Sequence, residues 1–248
     1  MIILKSEAEI GLMRRAGSLV WHVLDKVGQA IRPGVTTREL DAIAENTIRE
    51  AGAEPSFKGY HGYPASICAS VNEQVIHGIP GERRLVEGDI IGIDVGAVLD
   101  GYHGDSARTF AVGAVSSEAA RLLRVTEESL TAGIEAARAG NTLGDVGHAV
   151  QSYAEANGFS VVRDFVGHGI GRKMHEEPAV PNYGRPGLGK RLRAGMVLAI
   201  EPMINAGGYE VEVLGDNWTA VTRDGSLSAH FEHTVAITED GPVVLTLP

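Results

Sequence analysis

Apolar residues recur at helical spacing through the first fifty positions. Ile10, Met13, Val20, Leu24, Val27 and Ile31 fall on roughly one helix face, and Ser6 followed by Glu9 supplies a capping box ahead of them. Leu40, Ile43, Thr47 and Ile48 give a second helix its inward face. Thr36 with Glu39 opens it and Gly52 ends it. A third helix is predicted from Ser116 or Ser117 to Gly140, and a fourth opens at Thr142 with Asp145 and closes at Gly158. Between the pairs the pattern turns to strand. In "GDIIGIDVGAVLDGYHGDSART", residues 88–109, Ile90, Ile91, Ile93 and Val95 read as core, yet Asp94 sits among them and Asp105 follows. Asp100-Gly101 suits a two-residue type I′ hairpin, whose central positions both need positive φ. Leu99 then faces Tyr102, and Asp94 faces Ala107, whose diagonal neighbour is Asp105. Strand side chains alternate, so both acids share one face. Two like charges there require either a raised pKa or a cation between them. The plain alternative is a solvent-facing hairpin with two surface acids.

The chain is written twice. Gly34, Thr36, Glu39, Leu40 and Gly52 match Gly140, Thr142, Asp145, Val146 and Gly158, each at an offset of 140 − 34 = 106. "RRLVEGDIIGID" (83–94) aligns with "KRLRAGMVLAIE" (190–201), which sets Asp94 against Glu201. "HGDSARTF" resembles "HFEHTVAI", which sets Asp105 against Glu232 once a longer second loop is allowed. "HGIP" (77–80) resembles "HEEP" (175–178), pairing His77 with His175. Four matches in one order imply repeated structural units. With two copies, the expectation is one catalytic domain of two α/β halves, about 1–112 and 113–248, related by a pseudo-twofold axis. Packed face to face, the halves would bring Asp94, Asp105, Glu201 and Glu232 together. Two divalent cations would neutralise those four charges and turn repulsion into coordination.

Composition narrows the setting. A formal net charge of −10 argues against a dedicated DNA or RNA binder. The basic cluster Arg185, Lys190, Arg191 and Arg193 reads as a solvated loop, with rRNA as the other partner it would suit. Cys68 is the single cysteine, so no internal disulfide forms and a reducing compartment is expected. No run is long and apolar enough to span a bilayer, and "MIILKSEAEI" lacks the apolar core of a signal peptide. A cytoplasmic protein with no membrane partner is expected.

His168, in "GHGIGRKMHEEP", adds the imidazole that dinuclear carboxylate sites often carry. With Asp94, Asp105, His168, Glu201 and Glu232 in that order, the chain resembles the type I methionine aminopeptidases over essentially its whole length. The motifs that carry the likeness are "HGIP", "DVGAVLDGYHGDSART", "FVGHGIGRKMHEEP", "AIEPM" and "HFEHTVAIT". The resemblance implies the α/β pita-bread fold, with curved antiparallel sheet inside and helices outside. It also implies hydrolytic release of initiator methionine from nascent chains and peptides, a monomer, and transient work near the ribosome. The absence of a Cys-rich extension, and only 25 residues between His175 and Glu201, favour type I over type II. The helix opening near residue 6 separates the chain from prolidase-like relatives, which carry an extra N-terminal domain.

The same resemblance assigns roles. Asp94 and Asp105 would bind one metal and Asp105 would bridge. His168 and Glu201 would complete the second ion's shell, and Glu232 would bridge. Such oxygen-rich shells suit Mn, Fe or Co, with Zn also open. Glu201 would also accept the proton of the attacking water. His175 would orient or polarise the scissile carbonyl, and His77 would stabilise the tetrahedral intermediate or serve the leaving amine. The methionine pocket would comprise Tyr60, Tyr63, Cys68 and Trp218, with His77 at its edge, since aromatics and a thiol suit a thioether. Phe57 stands where a cysteine is common in the family, and Met174 where a phenylalanine is common, so pocket shape is open. His22 and His148 lie on helices and read as structural. His61, His103, His230 and His233 border the motifs and are expected to hydrogen-bond the ligands. Two competing functions remain: a proline-directed peptidase of the same fold, and a non-catalytic binding protein, which would be expected to lack ligands.

Overall fold

A computed structural model describes residues 2–248. Its four helices begin where the caps predict. α1 (Glu7–Ala30), α2 (Thr37–Glu50) and α4 (Leu143–Ala156) each open on a complete capping box, at Ser6, Thr36 and Thr142. α3 (Ser117–Ala136) opens at Ser116, whose side chain accepts from the Ala119 N–H. α2 and α4 also close alike. Gly52 N–H donates to the Arg49 carbonyl and Ala53 N–H to that of Ile48, while Gly158 and Phe159 repeat the pattern on Glu155 and Ala154. This double closure satisfies carbonyls the helix leaves open, and it needs a left-handed residue, here Gly52 (φ 73°) and Gly158 (φ 79°).

Gly140 does not end α3, which stops at Ala136. Its φ is 95°, against 93° at Gly34. Its N–H donates to the Leu192 carbonyl at 3.0 Å, and that of Gly34 to Leu85 at 2.8 Å. Both glycines form the turn into the next helix, where Thr36 bridges to Arg84 and Thr142 to Arg191. Sequence similarity located the right residue but assigned it to the wrong helix end.

The hairpin Ile90–Leu99/Tyr102–Ala111 has the expected register, with Leu99 opposite Tyr102 and Asp94 opposite Ala107. The strand Ile90–Leu99 also pairs with Ile67–Val71 and with Glu54–Pro55. A five-stranded sheet runs Gly241–Val244, His233–Thr238, Val197–Ile200, Gly167–Gly169, Glu176–Val180. In both sheets, therefore, the strand leading to an acid (Asp94 or Glu201) lies between its hairpin partner and an earlier strand. Two three-stranded sheets complete the interior: Ser228–His230, Met203–Asn205, Ser160–Val161 and Val211–Val213, Ala220–Thr222, Gln74–Ile76. All these named pairings are antiparallel.

The second hairpin departs from the first. Ile200 faces His233 in one sheet and Met203 faces His230 in another. Between them, residues 201–202 and 231–232 fall outside both strand pairings, with a long bond from the Phe231 N–H to the Pro202 carbonyl at 3.4 Å. Pro202 has no N–H to donate, and Glu232 N–H turns to the Ala107 carbonyl at 2.9 Å. The rungs on either side place Glu201 and Glu232 head-on at this break, whereas Asp94 and Asp105 meet diagonally.

Apolar packing falls into several clusters. One cluster includes Val20, Leu40, Ile48, Ile67 and Ile93, and another Leu122, Leu130, Val146, Leu198 and Val235. Each fully buried Leu or Ile among them contributes about 1.5–3 kcal/mol. Met13, Tyr102, Ile170, Val197, Ala236 and Leu245 form a third cluster drawing on both parts of the chain. Among the described residues, no helix is long and apolar enough to cross a membrane.

Candidate metal centre and substrate pocket

Where the two hairpins lie side by side, hydroxyl groups tie each to the other. Thr234 Oγ1 donates to the Asp105 carbonyl at 2.8 Å and accepts the Asp105 N–H at 3.1 Å. Thr109 Oγ1 does the same for His230, at 2.8 and 2.9 Å. Ser106 Oγ donates to the Glu232 carbonyl at 2.6 Å. The backbones of Asp105 and Glu232 are thereby held from the opposite side of the seam.

Beside this seam is a cavity of about 250 Å³, lined by Asp94, Asp105, His168, Glu201 and Glu232 among others. The ligand atoms of Asp105, His168 and Glu232 lie within 4.8 Å of one another. His168 Nε2 is 3.6 Å from Glu201 Oε1 and 3.8 Å from Asp105 Oδ2, too far for hydrogen bonds. Its Nδ1 lies 2.9 Å from the Gly169 carbonyl, which fixes the proton there and leaves the Nε2 lone pair facing the acids. Asp94 Oδ1, Asp105 Oδ1 and Glu232 Oε1 are buried without a hydrogen-bond partner.

Electrostatics say what the acid cluster needs. Burial lifts the Asp94 carboxyl to about 7. Burial, then the neighbouring acids, push Asp105 and Glu232 well above the usual carboxylate range, and burial with Asp94 does the same to Glu201. Burial pulls His168 down to about 3 and His230 to about 3, so neither imidazole offers a positive charge. Among the described residues, none of those lining the cavity is a Lys or Arg. Orphaned carboxylate oxygens, a lone pair aimed among them and the absence of any protein cation fit divalent metal ions.

The apolar side of the same cavity holds every pocket residue expected from sequence: Phe57, Tyr60, Tyr63, Cys68, Met174 and Trp218. Phe57, Tyr63, Cys68 and Met174 pack together with Ala65, and the Tyr63 and Trp218 rings meet edge-on at 5.0 Å. Burial raises the Cys68 thiol, so it remains an apolar wall. His77 and His175 also line the cavity. His77 has φ 59°, a left-handed backbone costing a non-glycine residue about 1–2 kcal/mol. The next residue anchors it: Gly78 N–H donates to Ser70 Oγ, and the Tyr63 hydroxyl lies 3.0 Å from the Gly78 carbonyl. His175 Nδ1 lies 2.8 Å from the Tyr60 hydroxyl, and its ring centroid is 4.2 Å from that of His168.

Sequence reasoning missed Ile76, Phe165 and Val166, which also line the cavity. Phe165, three residues before His168, meets His77 edge-on at 5.7 Å. The flanking histidines behave differently from expectation. His103 bonds Ser56 and His233 bonds Thr246, while His61 lines the cavity against Tyr60. His230 approaches the acid cluster, with Nε2 3.7 Å from Glu201 Oε2 and no hydrogen-bond partner among the described residues. His22 and His148 are exposed on α1 and α4, outside the cavity lining.

Comparison with known proteins agrees with this arrangement. The pattern of metallopeptidase family M24 matches residues 11–239. A methionine aminopeptidase of Clostridium perfringens is 61% identical over 247 residues, covering 100% of this chain and 99% of that protein. Methionine aminopeptidase 1 of Bacillus subtilis is 56% identical, covering 99% of each. The crystal structure of methionine aminopeptidase from Rickettsia prowazekii superposes with a TM-score of 0.98 at 47% identity, covering 100% of both chains. The prolidase of Pyrococcus horikoshii gives 0.81 at 25% identity and is covered over 64% of its length. The pita-bread architecture is common to all of them. A buried acid and imidazole cluster at the seam of that fold, matched along almost the whole sequence, places the chain in metallopeptidase family M24.

Proposed function

We propose that this metallopeptidase is a methionine aminopeptidase that cleaves the first peptide bond of chains beginning with methionine. The observation that carries the assignment is the joining of two environments in one cavity, a buried acid cluster beside an aromatic and sulfur-lined wall. The wall would take an unbranched thioether side chain, and the N-terminal residue's peptide bond would then lie over the acids. A small second residue, such as Gly, Ala or Ser, is the requirement implied by the family. High-identity relatives named methionine aminopeptidase favour this over the proline-directed alternative.

Asp94, Asp105, His168, Glu201 and Glu232 would hold two divalent ions, of Co, Mn, Fe or Zn. When bound, such ions polarise a carbonyl and acidify water. Glu201 would take up the proton released on attack. The Tyr60 hydroxyl, kept protonated by burial, lies 2.8 Å from His175 Nδ1; as the donor there it would leave the His175 proton on Nε2. Burial, followed by His61, lowers His175, and burial with His175 lowers His77 to about 4, so both act as neutral rings. His175 Nε2–H would point to the scissile carbonyl, and His77 would steady the developing negative charge or serve the leaving amine. The same proposal includes a two-half catalytic domain, about 1–112 and 113–248, acting as a cytoplasmic monomer on nascent chains near the ribosome. The duplicated turns support the halves; exposed Arg185, Lys190, Arg191 and Arg193 suit a solvated loop and would be accessible to rRNA.

The test is a Met-Ala-Ser peptide assay after chelation and after metal add-back, with metal content measured beside it. Loss and recovery of methionine release are expected, with Met-Leu peptides cleaved far more slowly. Rapid release of residues preceding proline, with little Met-Ala cleavage, would transfer the assignment to the proline-directed class.

A further inference from the structure

Lys5 lies outside the cavity and touches none of the groups assigned above, yet its charge is among the most deeply buried. Its Nζ meets Glu176 Oε2 at 2.6 Å, with the two side chains 4% and 7% exposed. Burying an ion pair strips both ions of water, so such a pair is an inefficient source of stability. The surroundings are nonetheless built around it. A Cβ on Gly171 would lie 2.7 Å from Lys5 Cε and 2.6 Å from Glu176 Oε1. Lys5 N–H donates to the Gly195 carbonyl at 2.7 Å, and Nζ also donates to the Ile3 carbonyl at 3.1 Å.

The other carboxylate oxygen has a separate task. Glu176 Oε1 accepts the Lys173 N–H at 3.3 Å, and Gly171 N–H donates to the Lys173 carbonyl at 3.1 Å. The Glu176 carboxylate thus closes the turn 170–175 between the strand of His168 and the strand Glu176–Val180. That turn delivers Met174 and His175 to the cavity. Neighbouring side chains at the start of a strand project to opposite sides. Glu176 accordingly meets the N-terminal segment while His175 meets Tyr60.

We propose that the Lys5–Glu176 ion pair is a positioning element for His175, fixing the turn 170–175 from behind so that the imidazole meets the substrate at a set angle. This role presupposes the assignment of His175 under the proposed function. Lys5 acts through Glu176 and the turn, and touches neither substrate nor metal.

A double-mutant cycle on the full-length, metal-loaded enzyme tests it, using the Met-Ala-Ser peptide. A displacement of about 1 Å can cost up to about 10²-fold in rate. Lys5→Met should therefore lower kcat about tenfold, with KM within about twofold and bound metal unchanged, and Lys5→Arg should restore most of the loss. In a His175→Ala background, Lys5→Met should cost less than about twofold, because nothing is left to position. Lys5→Met with Glu176→Leu removes both charges and so avoids a lone buried ion. It should keep a wild-type Tm and still show the kcat loss. Wild-type kcat in that double variant, or an equal Lys5→Met loss with and without His175, would overturn the positioning role and leave His175's assignment standing. Wild-type turnover in His175→Ala alone would instead remove that assignment, and the inference with it.

Discussion

At Asp105 and Glu232 an amide in place of the carboxylate would keep the shape and remove the charge. Both side chains are buried with an unpartnered oxygen, so their role is electrostatic rather than steric. Asp105→Asn and Glu232→Gln should each lose bound metal and abolish methionine release, read by metal analysis beside turnover. His77→Ala should differ in kind. It removes one neutral donor from the cavity wall, so both ions should remain while turnover falls about 10²–10³-fold. A variant of Asp105 or Glu232 with full metal content and normal rate would contradict the metal-binding roles proposed for these acids. The charge pattern itself was legible in the chain. Asp94 and Asp105 could be set on one face because a two-residue turn fixes every rung of a hairpin by arithmetic. Phe165, Ile76 and Val166 were not legible, since an apolar side chain in a strand or loop carries no local mark of the cavity it will line.

Single elements show the same boundary between local and distant causes. Helix starts were read correctly because an N-cap, with a complete capping box at α1, α2 and α4, lies within four residues. The end of α3 was misplaced because Gly140 takes its shape from Leu192, fifty-two positions away in sequence (192 − 140 = 52). The break at Pro202 and the hydroxyl ties across the seam are likewise invisible without the partner strand. Thr234 is fully buried and holds both backbone groups of Asp105. Thr234→Val would leave that N–H and carbonyl unpaired, at a cost of about 1–3 kcal/mol for each group so exposed. The midpoint of urea unfolding should fall accordingly, and Thr234→Ser should recover most of it. An unchanged midpoint for the valine variant would show that the tie is dispensable. At the start of α1, Ser6 and Tyr102 hydrogen bonds hold the Glu9 carboxyl down to about 2, against an ordinary 4.5. A carboxyl depressed in the folded state stabilises above its unfolded pKa, and that contribution disappears as pH falls through the folded value. Glu9→Gln should therefore be less stable than the parent at pH 7, with the gap closing between about pH 4.5 and pH 2. A gap independent of pH over that window would assign the effect to shape alone.

For the whole molecule the acid cluster reverses that sign. Carboxyls raised in the folded state bind protons that the unfolded chain would release, so the ion-free protein should lose stability as pH rises towards and through about 7, the Asp94 value. Bound divalent ions favour the ionised carboxylates and should abolish this dependence. The Tm of chelated protein should fall from pH 6 to pH 8 while that of the metal-loaded protein holds. Metal addition at pH 6 should release protons, measurable in weakly buffered solution. A chelated protein with the same Tm profile as the loaded one would mean that the acids do not need the ions.

Under the proposed function, the seam tied by Thr109, Ser106 and Thr234 would also govern when the molecule gains the power to cut other chains. Of the five proposed ligand positions, Asp94 and Asp105 belong to the first hairpin, and His168, Glu201 and Glu232 come later in the chain. A newly made chain whose first part has folded therefore owns a hairpin with two acids and no complete coordination shell. On the proposed ligand set, hydrolytic competence would arrive last, once the second hairpin had closed on the first, and the unfinished enzyme would spare the chains that the finished one trims.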